Sequence, residues 1–299
     1  MSLKHRQEAI NVLKGRYSCR DFSDKEIDAD VLNEILQVGV AAASGGNLQP
    51  VSVIKIRDKD KKKRIRELCK QGFIEKADTL LLFVLDYQRI KRWADVEVAP
   101  FGRQNSFVDF IIALEDVMCM AQSIECAATL LGVGSVYIGT VNYVYEELKD
   151  LLDLPELTIP VLMTCLGIPK TDDSEAHLQG HLSKKLGRDI IIHEEKYKQL
   201  SDEEVKEKIV SEKYDDWRLD LEGEVLDKYL KELYEVAKEI NGEEWAIEVS
   251  ESILKSKGIN RAQFRLGHHY NPVRLRSYNS KLIEFYKKQG FNFWTVDND

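Results

Sequence analysis

The stretch IPVLMTCLGIP, residues 159–169, decides the fold class. It is apolar almost without interruption and is closed by Gly167 and Pro169. A strand with one wet face alternates apolar and polar residues, whereas a strand covered on both faces does not. TLLLFVLDY at residues 79–87 has the same character and reads as a second central strand. VSVIKI (51–56) and SVYIG (135–139) are shorter strand-like stretches. Helical patterns lie between them. Residues 2–14 place Leu3, Ile10 and Leu13 inward and stop at Gly15. Asp28 caps a helix whose stripe is Val31, Leu32, Ile35, Leu36 and Val38. DKDKKKRIRELCK (58–70) is a solvated helix with one apolar edge, and residues 146–152 form a short helix. The longest helix covers residues 107–131, with Ile111, Leu114, Val117, Met118, Ala121, Ile124 and Ala128 at helical spacing. Helices alternating with buried strands predict an α/β or α+β protein.

The chain has 299 residues, enough for one large domain or two modest ones. Its net charge of -8 argues against nucleic acid as a partner, because affinity for a polyanion comes mainly from Lys and Arg. The longest apolar run, TLLLFVL (79–85), is far too short to cross a bilayer, and the N-terminus lacks a signal-like apolar region. A cytoplasmic protein with no membrane partner is expected. The five cysteines, Cys19, Cys69, Cys119, Cys126 and Cys165, form no CxxC pair and no zinc-like spacing with histidine, so no metal site is expected. Cys19 alone stands where positive charge, from Arg20, would lower a thiol pKa; packing as a small hydrophobe is the plainer reading.

The character changes near residue 195. Residues 201–251 are acidic and helical, with Val225, Leu226, Tyr229, Leu230, Leu233, Val236 and Ala237 at heptad-like positions. Residues 258–299 are basic and aromatic, including Arg261, Arg265, His268, His269, Arg274 and Arg276. The expected division is therefore residues 1–197 and a mainly helical extension, residues 198–299.

The chain carries no GxSxG elbow, HExxH or P-loop, and GVGSVYIG (132–139) lacks the GxGxxG spacing. It offers anion-binding pieces instead: Arg16 and Ser18 after the first helix, the SGGN loop (44–47), and SKKLGRD (183–189). Taken alone, the arginines of RYSCR (16–20) read more simply as ion-pair partners of Asp21, Asp24 and Glu26.

Four segments in order change that balance. RYSCRDF (16–22), followed by SDKEIDADVLNEILQVGVAAASGGNLQPVSVIKI (23–56), resembles the opening of the flavin-dependent nitroreductase family, with its RxSxR/K-F element and its loop ending in NxQP. ALEDVMCMAQSIECAATLLGVGSVYIGTVN (113–142) resembles the family's long central helix and flavin-edge strand. EELKDLLDLPELTIPVLMTCLGIPK (146–170) resembles the returning strand, and SKKLGRDIIIHEEKY (183–197) the basic closing segment.

The resemblance implies an α+β fold, with a central mixed or antiparallel sheet flanked by helices, in an intertwined homodimer that binds FMN at its interface. Carried over by position, Arg16 and Ser18 match residues holding the phosphate and ribityl chain, with Tyr17 in the variable slot between them. Arg20 matches the basic residue at the N1/C2 edge of the ring. Ser44, Gly45 and Asn47 match the loop that the partner subunit lays on the flavin. Tyr137, Ile138, Gly139 and Thr140 match the segment near N5 and O4, and Lys184 and Lys185 the closing phosphate contacts. The family often has proline where this chain has Ala43 and Gly187, and tryptophan where it has Val51.

The implied activity is an FMN-dependent NAD(P)H oxidoreductase. Hydride from NADH or NADPH passes through flavin N5 to a nitroaromatic, quinone or related acceptor by a ping-pong mechanism. No side chain acts as reagent, and Arg20 is the electrostatic stabiliser of the reduced flavin. The alternatives are specialised family chemistry, reductive dehalogenation or flavin fragmentation, and a flavin-binding regulatory protein with little turnover.

Overall fold

A strand buried on both faces needs a partner strand at each edge and an apolar layer above and below. A computed structural model describes residues 3–170 and 184–294. In it the four strands are β1 (Val51–Ile56), β2 (Thr79–Asp86), β3 (Gly134–Ile138) and β4 (Thr158–Gly167), in the order β1-β2-β4-β3. Every pairing is antiparallel, and β2 and β4 occupy the centre. The two near-continuous apolar runs are thus the two inner strands, and the antiparallel sheet resolves the class as α+β.

Each residue of β2 is buried, and successive residues serve opposite layers. Leu81, Phe83 and Leu85 belong to one core, Leu80, Leu82 and Val84 to the other. The first core is covered by α2 (Ala29–Val40) and α6 (Phe107–Leu130), through Leu32, Ile35, Val117, Ala121, Ile124 and Ala128. The second is covered by α3 (Lys59–Cys69), α4 (Phe73–Lys76) and α7 (Tyr145–Leu152), through Ile65, Ile74 and Leu148. Asp28 caps α2 by accepting from the Asp30 and Val31 amides, as its position predicts. Between β2 and α6 runs α5 (Gln88–Val96).

Some helical faces differ from the periodicity reading, and Val38 of α2 and Val225 in the second unit are exposed. The first helix, α1 (Leu3–Lys14), forms but buries none of its residues; Leu3 and Ile10 are exposed. On α6, Ile111 and Met118 are exposed, while Asp116 and Glu125 are buried. Apolar residues lie around much of the circumference of α6, so spacing alone does not identify its core face.

The described residues fall into two compact units: residues up to 170 with residues 282–294, and residues 184–281. This differs from a single cut after residue 197, because the chain end returns to the first unit. Helix α10 (Asn279–Lys288) supplies Phe285, whose ring packs tilted against Tyr145 with centroids 4.3 Å apart, and the following Phe291 stacks on Tyr87 at 5.7 Å. Backbone bonding joins the same segment: the Leu157 amide donates to the Gln289 carbonyl at 2.8 Å. The second unit contains α8 (Gly223–Asn241) and α9 (Glu243–Ser256), with a two-stranded antiparallel sheet of β5 (Arg218–Asp220) and β6 (Gly258–Asn260). Its core is Leu221, Leu233, Ile253 and Ile259. Several of its basic residues are engaged within the unit: Arg261 lies over the Tyr214 and Trp217 rings, and Arg276 pairs with Glu239.

Truncating Phe291 to Ala should lower the unfolding free energy by about 3 to 5 kcal/mol, through a cavity against Tyr87 and Phe110, measured by urea denaturation. Tyr87 supplies a pH signature, because burial pushes its phenol up to about 12, partly offset by Arg103. The folded state keeps that proton where the unfolded state loses it. The urea midpoint should therefore fall as pH rises from roughly 10 towards 12, and Tyr87→Phe should flatten the fall.

Candidate functional site

The segment after α1 has no helix or ladder of its own, so its backbone groups must find partners elsewhere. Ser18 bridges in parallel to Ser135 of β3, and the Cys19 amide donates to the Ser135 carbonyl at 2.9 Å. Four residues on, Phe22 bridges to Pro169, and the Ser23 amide donates to the Ile168 carbonyl at 2.8 Å. Residues 18–23 are thereby fastened beside β3 and the end of β4. β3 itself runs directly into a 3-10 turn, Gly139–Tyr143. Arg16, Tyr17, Ser18 and Arg20 are in this way brought to the neighbourhood of Tyr137, Ile138, Gly139 and Thr140.

Arg16 takes its partner from far along the chain rather than from Asp21, Asp24 or Glu26. Its Nη1 donates to Glu125 Oε1 at 2.6 Å, and the Glu125 side chain is only 1% exposed against 27% for Arg16. Ser135 Oγ donates to the same oxygen at 3.3 Å, and Gln122 Nε2 donates to Oε2 at 3.0 Å. Tyr137 completes the chain by donating to Gln122 Oε1 at 3.5 Å. Burial raises the Tyr137 phenol well above its ordinary value, with the Glu125 charge adding to the shift.

Arg20 is exposed. Its Nη1 donates to the Ser18 carbonyl at 3.3 Å, and its guanidinium carbon stands 5.9 Å from the centroid of Phe73. Two residues earlier, Gln71 Nε2 donates to Thr140 Oγ1 at 2.9 Å. The α3–α4 turn thus touches both Arg20 and the 3-10 turn after β3. Burial pushes the Tyr17 phenol up to about 12, and Cys19 adds to the rise. Cys19 is raised as well, because burial outweighs Arg20; the thiol is a packed group rather than an activated one. A Cβ on Gly134 would stand 2.8 Å from its sulfur, so the tight contact itself excludes a side chain at 134.

Ser44, Gly45 and Asn47 occupy a strained loop. Gly46, Asn47 and Gln49 all have positive φ, at 57°, 55° and 52°. Asp116 of α6 accepts the Gly45 amide at 2.8 Å, and a Cβ on Gly45 would meet Ile112 Cγ2 at 2.7 Å. At the far end Arg89 donates to the Gln49 carbonyl and, at 3.0 Å, to the Val51 carbonyl. Asp116 and Glu125 are nine residues apart on α6, roughly 13 Å along its axis, so one chain does not gather this loop and Arg16 into a single cluster. Lys184 and Lys185 belong to the second unit, where both are exposed and Lys184 pairs with Asp215. Ser183, His177 and His181 lie outside the described residues.

The residues fit FMN. A guanidinium and a hydroxyl at Arg16 and Ser18 suit a phosphate, and a second guanidinium at Arg20 suits an electron-rich ring edge. Ser44 Oγ and Asp116 Oδ2 are buried without a hydrogen-bond partner among the described residues, so the loop holds polar capacity that the first unit leaves unused. The sequence reading missed Glu125, Gln122, Asp116, Gln71 and Arg89. For Glu125 and Asp116 the available signal is a carboxylate inside an otherwise apolar helical stripe; for the others nothing local distinguishes them. Among the described residues no group of three His, Cys, Asp or Glu side chains is arranged to hold a metal, and no helix is long and apolar enough to cross a membrane.

Known proteins share the sequence and the fold of this chain. An NADPH-dependent oxidoreductase of Staphylococcus aureus is 27% identical over 194 residues, covering 64% of this chain and 74% of the relative. The structure of NfrA2 from B. megaterium aligns with a TM-score of 0.65 at 26% identity, over 96% of this chain and 99% of its own. That match carries the likeness through the extension beyond residue 197. Nitroreductase A from Vibrio parahaemolyticus aligns with a TM-score of 0.59 at 30% identity, over 66% of this chain and 80% of its own. The profile of the nitroreductase family matches residues 13–168, more than half of the sequence. The chain belongs to the nitroreductase family.

Proposed function

We propose that the protein is an FMN-dependent NAD(P)H oxidoreductase that passes electrons to nitroaromatic, quinone or related acceptors by a ping-pong cycle. The observation that carries this reading is the Ser18–Ser135 bridge, which lays the Arg-Ser-Arg segment beside the strand leading to Gly139 and Thr140. Family membership and the NADPH-dependent relative support the same chemistry. FMN, when bound, supplies the hydride chemistry that no side chain of this site offers.

In this reading Arg16 and Ser18 hold the phosphate end, with the Tyr17 backbone between them, and Arg20 compensates negative charge at the ring. Exposure suits Arg20 to that task, since its side chain reaches a ligand without breaking a buried pair. The backbone of Tyr137, Ile138, Gly139 and Thr140 orients the ring edge. Ser44, Gly45 and Asn47 serve the partner subunit's site, which suits their separation from Arg16 along α6. A homodimer is supported by exposed apolar residues on two adjacent helices: Val38 and Val40 on α2, and Val108, Ile111 and Met118 on α6. A cytoplasmic location goes with this reading, as NAD(P)H is a cytoplasmic reductant.

The purified protein should be yellow, and NADH or NADPH added anaerobically should bleach it. A colourless protein that takes up no FMN would refute the reading, and a yellow protein inert to both nicotinamides would favour a flavin-binding role without turnover. Arg20→Ala should weaken FMN binding and lower the two-electron potential by about 30 to 60 mV, the equivalent of one charge-assisted hydrogen bond. Spectroelectrochemistry against reference dyes measures it, and an unchanged potential would remove Arg20 from the ring.

A further inference from the structure

The arginine assigned to the phosphate is not a free cation. Its Nη1 sits 2.6 Å from a carboxylate that is almost wholly buried, contributed by a helix 109 residues away in sequence. A carboxylate beside an anion site is unexpected on electrostatic grounds alone, since it offsets the charge the site needs. Stability does not explain it either, because a buried ion pair roughly breaks even against apolar packing. What remains is geometry.

Glu125 receives three donors from three places. Arg16 Nη1 and Ser135 Oγ converge on Oε1, and Gln122 Nε2 reaches Oε2. Both carboxylate oxygens are therefore satisfied, and a satisfied buried network is rigid. Ser135 is also the residue whose carbonyl accepts the Cys19 amide and whose backbone bridges Ser18. One carboxylate thus fastens the start of the RYSCR segment to α6 and grips the very β3 residue to which Ser18 is joined. A free Arg side chain samples many rotamers and loses that freedom when it is ordered. Ordering it in advance removes that cost from ligand binding.

We infer that Glu125 is a positioning residue, which fixes the Arg16 guanidinium beside Ser18 so that the phosphate end of FMN meets a preordered donor. The inference rests on the functional reading above for the identity of the ligand, but the ordering of Arg16 is a property of the protein without it. It is the acceptor geometry of Glu125, not its charge, that does the positioning. Glutamine keeps the Oε1 acceptor and spares the phosphate a nearby negative charge. Methionine fills the same space and accepts nothing.

The test uses the full-length apoprotein, with FMN and riboflavin as probes. Glu125→Met should raise the FMN dissociation constant roughly tenfold and leave riboflavin, which lacks the phosphate, within about twofold. Glu125→Gln should bind FMN at least as well as the parent protein. Arg16→Ala combined with Glu125→Met should bind no more weakly than Arg16→Ala alone, since the second change acts through the first residue. Independently of any flavin, the Arg16 Nε order parameter should be high in the parent apoprotein and fall below about 0.6 in Glu125→Met. Equal losses for FMN and riboflavin, additive effects in the double variant, or an Arg16 side chain equally ordered without Glu125 would each overturn the inference. A parent protein that binds neither flavin would overturn the functional reading instead, and the Arg16 order parameter would still decide whether Glu125 positions it. Should Glu125→Met fail to fold, Ser135→Ala provides the comparison, with Glu125→Gln as the variant that keeps the acceptor. Ser135→Ala removes one donor to Oε1 and should loosen Arg16 less than the loss of the carboxylate does.

Discussion

Burial of β2 on both faces is the constraint from which the rest of this architecture follows. Eight consecutive buried residues require strands at both edges and helices above and below. Burying each Leu, Val or Phe side chain contributes roughly 1.5 to 3 kcal/mol, but only if both layers are present. The helices α2 and α6 on one side, and α3, α4 and α7 on the other, are where they are because this strand has no polar face to offer water. The returning chain end extends the first layer, with Phe285 and Phe291 packed against Tyr145 and Tyr87.

The candidate site arises at the edge of that sheet, where the packing is no longer complete. β3 is an edge strand, and the segment after α1 fastens to it through Ser18 and Cys19. Edge strands commonly need cover; here the cover brings two arginines and a hydroxyl with it. The same arrangement accounts for Cys19, which faces Gly134 and the second core and has its thiol pKa raised by burial. A neighbouring arginine does not activate a cysteine that the fold has removed from water.

Helix α6 links this site to the strained loop. It is the only described element that carries both the Asp116 contact to Gly45 and the Glu125 contact to Arg16. With the two contacts roughly 13 Å apart along the axis, the helix acts as a ruler between the loop and the Arg-Ser segment. It keeps the two groups in fixed separation rather than bringing them together. Carboxylates at two core positions are costly unless bonded, which explains why both are aimed at specific donors.

Much of the fold was legible from local chemistry. The apolar runs marked the two central strands, Asp28 marked a helix start, and the motif order from Arg16 to Tyr197 marked the family, because these signals are carried by residues close in sequence. Side-chain partners were not legible in that way. Glu125 reads as a break in an amphipathic stripe until the fold sets it against Arg16, and Ile111 and Met118 read as core until the helix turns them outward. The return of Phe285 and Phe291 to the first unit was equally hidden, since it depends on contacts with residues more than a hundred positions away. Sequence by itself determined which segments are strands and helices and where donor-bearing side chains such as Arg16, Ser18 and Arg20 stand along the chain, because hydrogen-bonding capacity and period are local properties. Only the tertiary structure decided which carboxylate meets which arginine, because a buried charge takes its partner from whatever the packing places beside it.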